Sequence, residues 1–134
     1  MAMAWLTREG QVLASAEVAK TRSERRRGLL GRNEVEGVFI LKARSVHTFG
    51  MKFPIDVAFC DSEGTVKRVV TLAPNRVTLP VRSAYSAVEA PAGAFRSWGV
   101  IPGDRLEVRR WAAEDPVWCS SARLLATLAT FRFG

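Results

Sequence analysis

The chain has 134 residues, of which 48% are hydrophobic and 25% charged, the composition of one soluble globular domain with its own core. Twenty basic residues against 13 acids leave a net charge of +7, toward the upper end of what solubility alone explains in a small domain, so the total assigns no partner. Collagen-like, disordered and disulfide-stapled classes are excluded, and no apolar run approaches the ~20 residues of a membrane helix.

In chain order, the stretch from Met1 to Glu9 lacks a basic region followed by an apolar core and a cleavage site, which gives a cytoplasmic location as the expectation. Trp5-Leu6-Thr7 and Val12-Leu13-Ala14 flank Arg8-Glu9-Gly10, predicting an opening hairpin with Gly10 at positive φ. Thr21 and Glu24 have capping-box spacing and Gly31 is placed as a stop, which predicts a short helix over about 22–30. Lys20, Arg22, Arg25, Arg26, Arg27 and Arg32 cluster here against Glu24 alone. Such a run can meet phosphate, an acidic protein or an anionic surface, and more often forms a solvated helix face. No aromatic residue interleaves it, so nucleic acid is a possible but not a favoured partner.

Val38-Phe39-Ile40-Leu41 is continuously apolar and predicts a central strand. Arg44 to Phe53 has no clean period and predicts a structured loop. Ile55 to Cys60 and Val66 to Leu72 predict a hairpin about the turn Asp61-Ser62-Glu63-Gly64, with Val66, Val70 and Leu72 on one face. Ala73 to Arg76 is a turn, Val77-Thr78-Leu79 a short edge segment and Tyr85 to Glu89 a strand ended by Pro91. Ala92 to Gly99 predicts one or two helical turns. Arg105 to Arg109 alternates as a half-buried strand does, with Leu106 and Val108 inward. Ser120 or Ser121 is placed to cap a helix over 122–128.

The expectation is a mainly β (α+β) domain over residues 1–111: a compact, barrel-like antiparallel or mixed sheet of seven or eight strands, with one short helix near the N-terminal third. Residues 112–134 add a C-terminal helical extension that packs on the domain or on a partner.

Cys60 and Cys119 have no CxxC spacing and no histidine nearby, which indicates neither a zinc site nor a redox motif; Cys60 reads as a small buried thiol. No metal and no cofactor are expected. The lone His47 lies among flexible polar residues, where it could act as a general base beside Ser45 or Thr48, or bond to backbone as a structural histidine. Asp56 shares a strand face with Ala58 and Cys60, so its carboxylate needs a salt bridge, a clamp on loop amides or a ligand. Glu89 is likewise isolated in a small-residue strand. If Asp56 and Glu89 approached each other, one pKa would rise and an acid/base couple would result.

Arg25-x-Arg27-Gly28-Leu29-Leu30-x-Arg32, Gly37-Val38-Phe39, Phe49-Gly50-Met51-Lys52, Ile55-Asp56-Val57-Ala58-Phe59, Val88-Glu89-Ala90-Pro91-Ala92-Gly93 and Gly103-Asp104 carry, in this order, a resemblance to the domain of unknown function 192 family. The resemblance covers roughly Val12 to Val108. It implies a compact, mainly β, barrel-like domain and brings no established activity, cofactor or substrate. The leading reading is a non-enzymatic ligand-binding or accessory protein, its partner an unknown small ligand or protein, with Arg25, Arg44, His47, Met51, Lys52, Asp56 and Glu89 as candidate binding residues. The alternatives are a small hydrolase or transferase using His47 with Asp56 or Glu89, and anionic-surface or nucleic-acid binding through Lys20 to Arg32.

Overall fold

A computed structural model describes residues 2–19 and 37–110. The expected helix over 22–30, the Lys20 to Arg32 cluster with Arg25, and the expected C-terminal helix lie outside the described residues. Seven strands form one mixed sheet: β1 (Ala2–Arg8), β2 (Gln11–Val18), β3 (Val38–Leu41), β4 (Ile55–Cys60), β5 (Val66–Leu72), β6 (Ser86–Pro91) and β7 (Glu107–Arg110), with a short helix α1 (Ala94–Trp98) between β6 and β7. The strand order is β5-β4-β6-β3-β2-β1-β7. The β2–β3 pair is parallel and the others are antiparallel. Among the described residues no helix is long and apolar enough to cross a membrane.

The opening hairpin turns through two residues, because Arg8 pairs with Gln11 and both Glu9 (φ 52°) and Gly10 (φ 81°) lie left-handed. Two positive φ values in a row match the right-handed twist of the flanking strands. Arg8 closes this end of the molecule: its Nη2 donates to the Trp98 carbonyl at 2.7 Å and its Nη1 meets Asp104 Oδ2 at 3.3 Å.

The sheet curls because its two ends meet. Val66 N donates to the Asp104 carbonyl, Gly103 N to that of Val66, and Leu106 N to that of Gly64, so the run entering β7 lies against the start of β5. The inner core holds Leu6, Val38, Ile40, Ala58, Val88 and Phe95 of α1. Phe39, Ile55, Val57 and Phe59 face the other way, under Val46, Met51 and Ala84 from the loops 42–54 and 73–85. Alternation along each strand sends successive side chains to these two cores, so β4 is buried throughout.

Two expectations need correction. Val66, Val70 and Leu72 do not share a face. The β4–β5 register shifts between Phe59 and Cys60, and the extra residue on β5 sends Val66 into the inner core while Val70 and Leu72 join the outer one. Val108 does point to the same side as Leu6, its partner across β1 and β7, but it is 41% exposed. The strand itself starts at Glu107, since Arg105 and Leu106 bond to the β4–β5 turn instead.

Candidate functional site

Asp56 points to the inner face, and both its oxygens are engaged. Thr71 Oγ1 donates to Oδ1 at 2.7 Å and the Gly93 amide to Oδ2 at 2.9 Å. Gly93 has φ 86° and immediately precedes α1, so the carboxylate clamps the turn that leads from β6 into the helix. Asp56 is 3% exposed.

Glu89 stands opposite Phe39 on β3 and Val57 on β4. Directly opposed residues share a face, which places its side chain on the outer-core side. Glu89 is 6% exposed, and among the described residues no hydrogen bond or ion pair reaches its carboxyl group. Burial pushes its pKa up to about 7. Met51 belongs to the same outer core, under the loops.

His47, Arg44 and Lys52 lie on the loop 42–54 and are exposed. His47 stacks on Phe49, with centroids 5.3 Å apart. Thr48 beside it is fully buried: its hydroxyl donates to the Ala73 carbonyl at 2.7 Å and accepts from the Arg76 amide at 2.9 Å. That hydroxyl joins the two loops and holds no position for attack on a substrate. The structure therefore leaves Arg44, His47 and Lys52 exposed along one loop and puts Met51 and Glu89 on one core face, with Asp56 on the opposite face.

A groove lies elsewhere on the described residues. Where β2 and β3 end, β6 begins and the β4–β5 turn meets the entry to β7, a groove of about 830 Å³ opens. Val18, Ile40, Leu41 and Leu106 supply apolar lining, and Lys42, Glu63, Tyr85, Arg105 and Glu107 supply polar groups of both signs. Lys42 Nζ lies 5.2 Å from the Tyr85 ring centroid, a cation over an aromatic face. Arg105 Nε donates to the Glu63 carbonyl at 3.2 Å, which orients the guanidinium at the rim.

Asp61 braces the turn below. Its Oδ1 accepts from the amides of Thr65 at 3.0 Å and Glu63 at 2.9 Å, and Lys67 lies 3.6 Å from Oδ2. The Thr65 amide leads in lowering its pKa, helped by Glu63 and Lys67. Burial, reinforced by the Asp61 charge, pushes the neighbouring Cys60 thiol up to about 12. Among the described residues no group of three or more histidine, cysteine or acidic side chains is placed to hold a metal.

Among the described residues, none of the candidates Arg44, His47, Met51, Lys52, Asp56 and Glu89 lines the groove. Arg105 reads locally as a charge in water and Tyr85 as the start of a strand; the meeting of Gly103 to Leu106 with Gly64 to Val66 brings them with Lys42 to one hollow.

Residues 4–108 match the family model of DUF192, described as uncharacterized ACR. The chain is 36% identical over 105 residues to a UPF0127 protein of Pyrococcus abyssi, covering 74% of this chain and 86% of that protein. It is 41% identical over 66 residues to a UPF0127 protein of Pyrococcus furiosus, covering 49% and 57%. A crystal structure of a protein of unknown function from Novosphingobium aromaticivorans superposes with a TM-score of 0.66 at 22% identity, over 78% of this chain and 83% of that one. That likeness shows the shared fold, and none of these names states an activity.

Proposed function

The chain belongs to the DUF192 family, and on that premise we propose that it is a non-enzymatic domain that binds a small molecule in the groove at the mouth of its barrel. The observation that carries this reading is a hollow of about 830 Å³ lined by apolar and polar side chains in similar measure, within the size range of small-molecule sites. Arg105 and Lys42 stand on its rim with Glu63 and Glu107, so the ligand it suits is zwitterionic with an apolar body. The engaged hydroxyl of Thr48 and the exposed His47 support binding over nucleophilic catalysis.

Thermal denaturation with a panel of zwitterionic, anionic and neutral metabolites tests the proposal. A ligand at 100 times its dissociation constant adds about 2.7 kcal/mol of stability. Ser62, exposed in the turn at the groove edge, gives the control: Ser62→Trp fills the opening and abolishes the shift while the protein stays folded. A panel without any shift, or a shift that survives Ser62→Trp, would falsify the assignment.

A further inference from the structure

The two loops that cover the outer core are joined as a ribbon. Thr78 N donates to the Val46 carbonyl at 2.9 Å, Thr48 N to that of Arg76 at 2.8 Å and Val81 N to that of Arg44 at 2.8 Å, and His47 stands opposite Val77. Val46 and Thr48 face inward and are buried. Alternation then turns His47 and Val77 outward, and Leu79 with them. Phe49, Val77 and Leu79 are 52%, 60% and 79% exposed, three large apolar side chains in water on adjoining strands of chain. Arg44, Lys52, Arg76 and Arg82 of the same two loops are exposed as well, and residues 42–54 and 73–85 contain no acid.

We propose that this ribbon docks on an anionic lipid surface, with Phe49, Val77 and Leu79 entering the headgroup boundary and Arg44, Lys52, Arg76 and Arg82 meeting the phosphates. Stable attachment at such a surface takes two signals, buried apolar area and attraction between cations and anionic lipid, and these two joined loops carry exposed residues of both kinds. A single-stranded nucleic acid would engage the cations and the His47–Phe49 pair but leave the aliphatic Val77 and Leu79 in water. A protein partner buries a broader patch than three residues on a narrow ribbon provide. The inference is independent of the groove.

Co-sedimentation of the full chain with phosphatidylcholine vesicles, with and without phosphatidylglycerol, is the experiment. The expected result is capture by the anionic vesicles alone, weakening as salt rises. Phe49→Ser with Leu79→Ser, and separately Arg44→Ser with Arg82→Ser, each lower the affinity by roughly tenfold or more at an unchanged melting temperature. Because all four positions are exposed, both variants test docking rather than folding. The basic segment is controlled with Arg25→Ser, Arg26→Ser and Arg27→Ser together. Binding that vanishes in this triple variant yet survives both ribbon variants overturns the proposal. So does capture of a single-stranded oligonucleotide without any capture of vesicles, or equal binding to neutral ones.

Discussion

Asp56 and Glu89 occupy neighbouring rungs of the β4–β6 ladder yet point to opposite sides of the sheet. Asp56 pairs with Ala90 and Glu89 with Val57, and one step along a strand reverses the direction of the side chain. The two carboxyl groups are therefore separated by the sheet and cannot share a proton. The acid/base couple that would follow from their approach is not formed, and each acid has its own consequence.

For Glu89 that consequence is a dependence of stability on pH. Burial raises its pKa from 4.5 to about 7, so between those values the folded protein keeps a proton that the unfolded chain has lost. The contribution of Glu89 to stability is then most favourable below about pH 4.5, falls through the interval, and levels off above about pH 7. Glu89→Gln removes the slope. At pH 8 the variant is expected to be more stable than the parent by on the order of 2 kcal/mol. Urea denaturation of both proteins from pH 4.5 to 8 measures the difference, and parallel curves would refute the assignment.

Asp56→Ala leaves the Gly93 amide and the Thr71 hydroxyl without their acceptor. The expected loss is about 2–3 kcal/mol, because hydrogen bonds to a charged group are the strong ones. Hydrogen exchange at Gly93 reports it locally: the amide should exchange faster than in the parent even where the rest of the sheet stays protected.

Thr48→Val keeps the shape of the side chain and removes the hydroxyl that serves the Ala73 carbonyl and the Arg76 amide. A cost of about 1–3 kcal/mol is expected, since both backbone groups lose a partner at a buried site. If Thr48 were only packing, the melting temperature would not move.

Gly64 has φ +89°, and a Cβ there would collide with the Leu106 carbonyl oxygen. Gly64→Ala is expected to cost about 2 kcal/mol or more, from backbone strain together with that contact. The same change loosens the Leu106–Gly64 hydrogen bond that helps to close the barrel, so ligand-induced shifts should shrink along with stability. A variant as stable as the parent would show that this turn adapts without loss.

Much of the sheet was legible along the chain. Val38–Leu41, Ile55–Cys60 and Val66–Leu72 lie where their apolar runs and turn signals predict, and Ala94–Trp98 forms the helical turn closed by Gly99. The clamp reading of Asp56 is also what the structure shows, because a carboxylate on a covered strand face has few other ways to remain there. The bulge that splits Val66 from Val70 was not legible, since the residue pattern of β5 is compatible with either register. The parallel β2–β3 pairing and the ribbon joining 44–48 to 76–81 depend on partners remote in sequence, and no local period reports them. The groove was missed for the same reason.

From the sequence by itself come the strand-rich character, the family and the oddness of two acids among apolar neighbours, because alternation, turn chemistry and the cost of burying charge all act over a few residues. Which side of the sheet each acid faces, and which rim residues surround the groove, were decided only in three dimensions. A pleated strand offers two faces of equal standing until pairing register and the contact between its distant ends determine which one closes over a core.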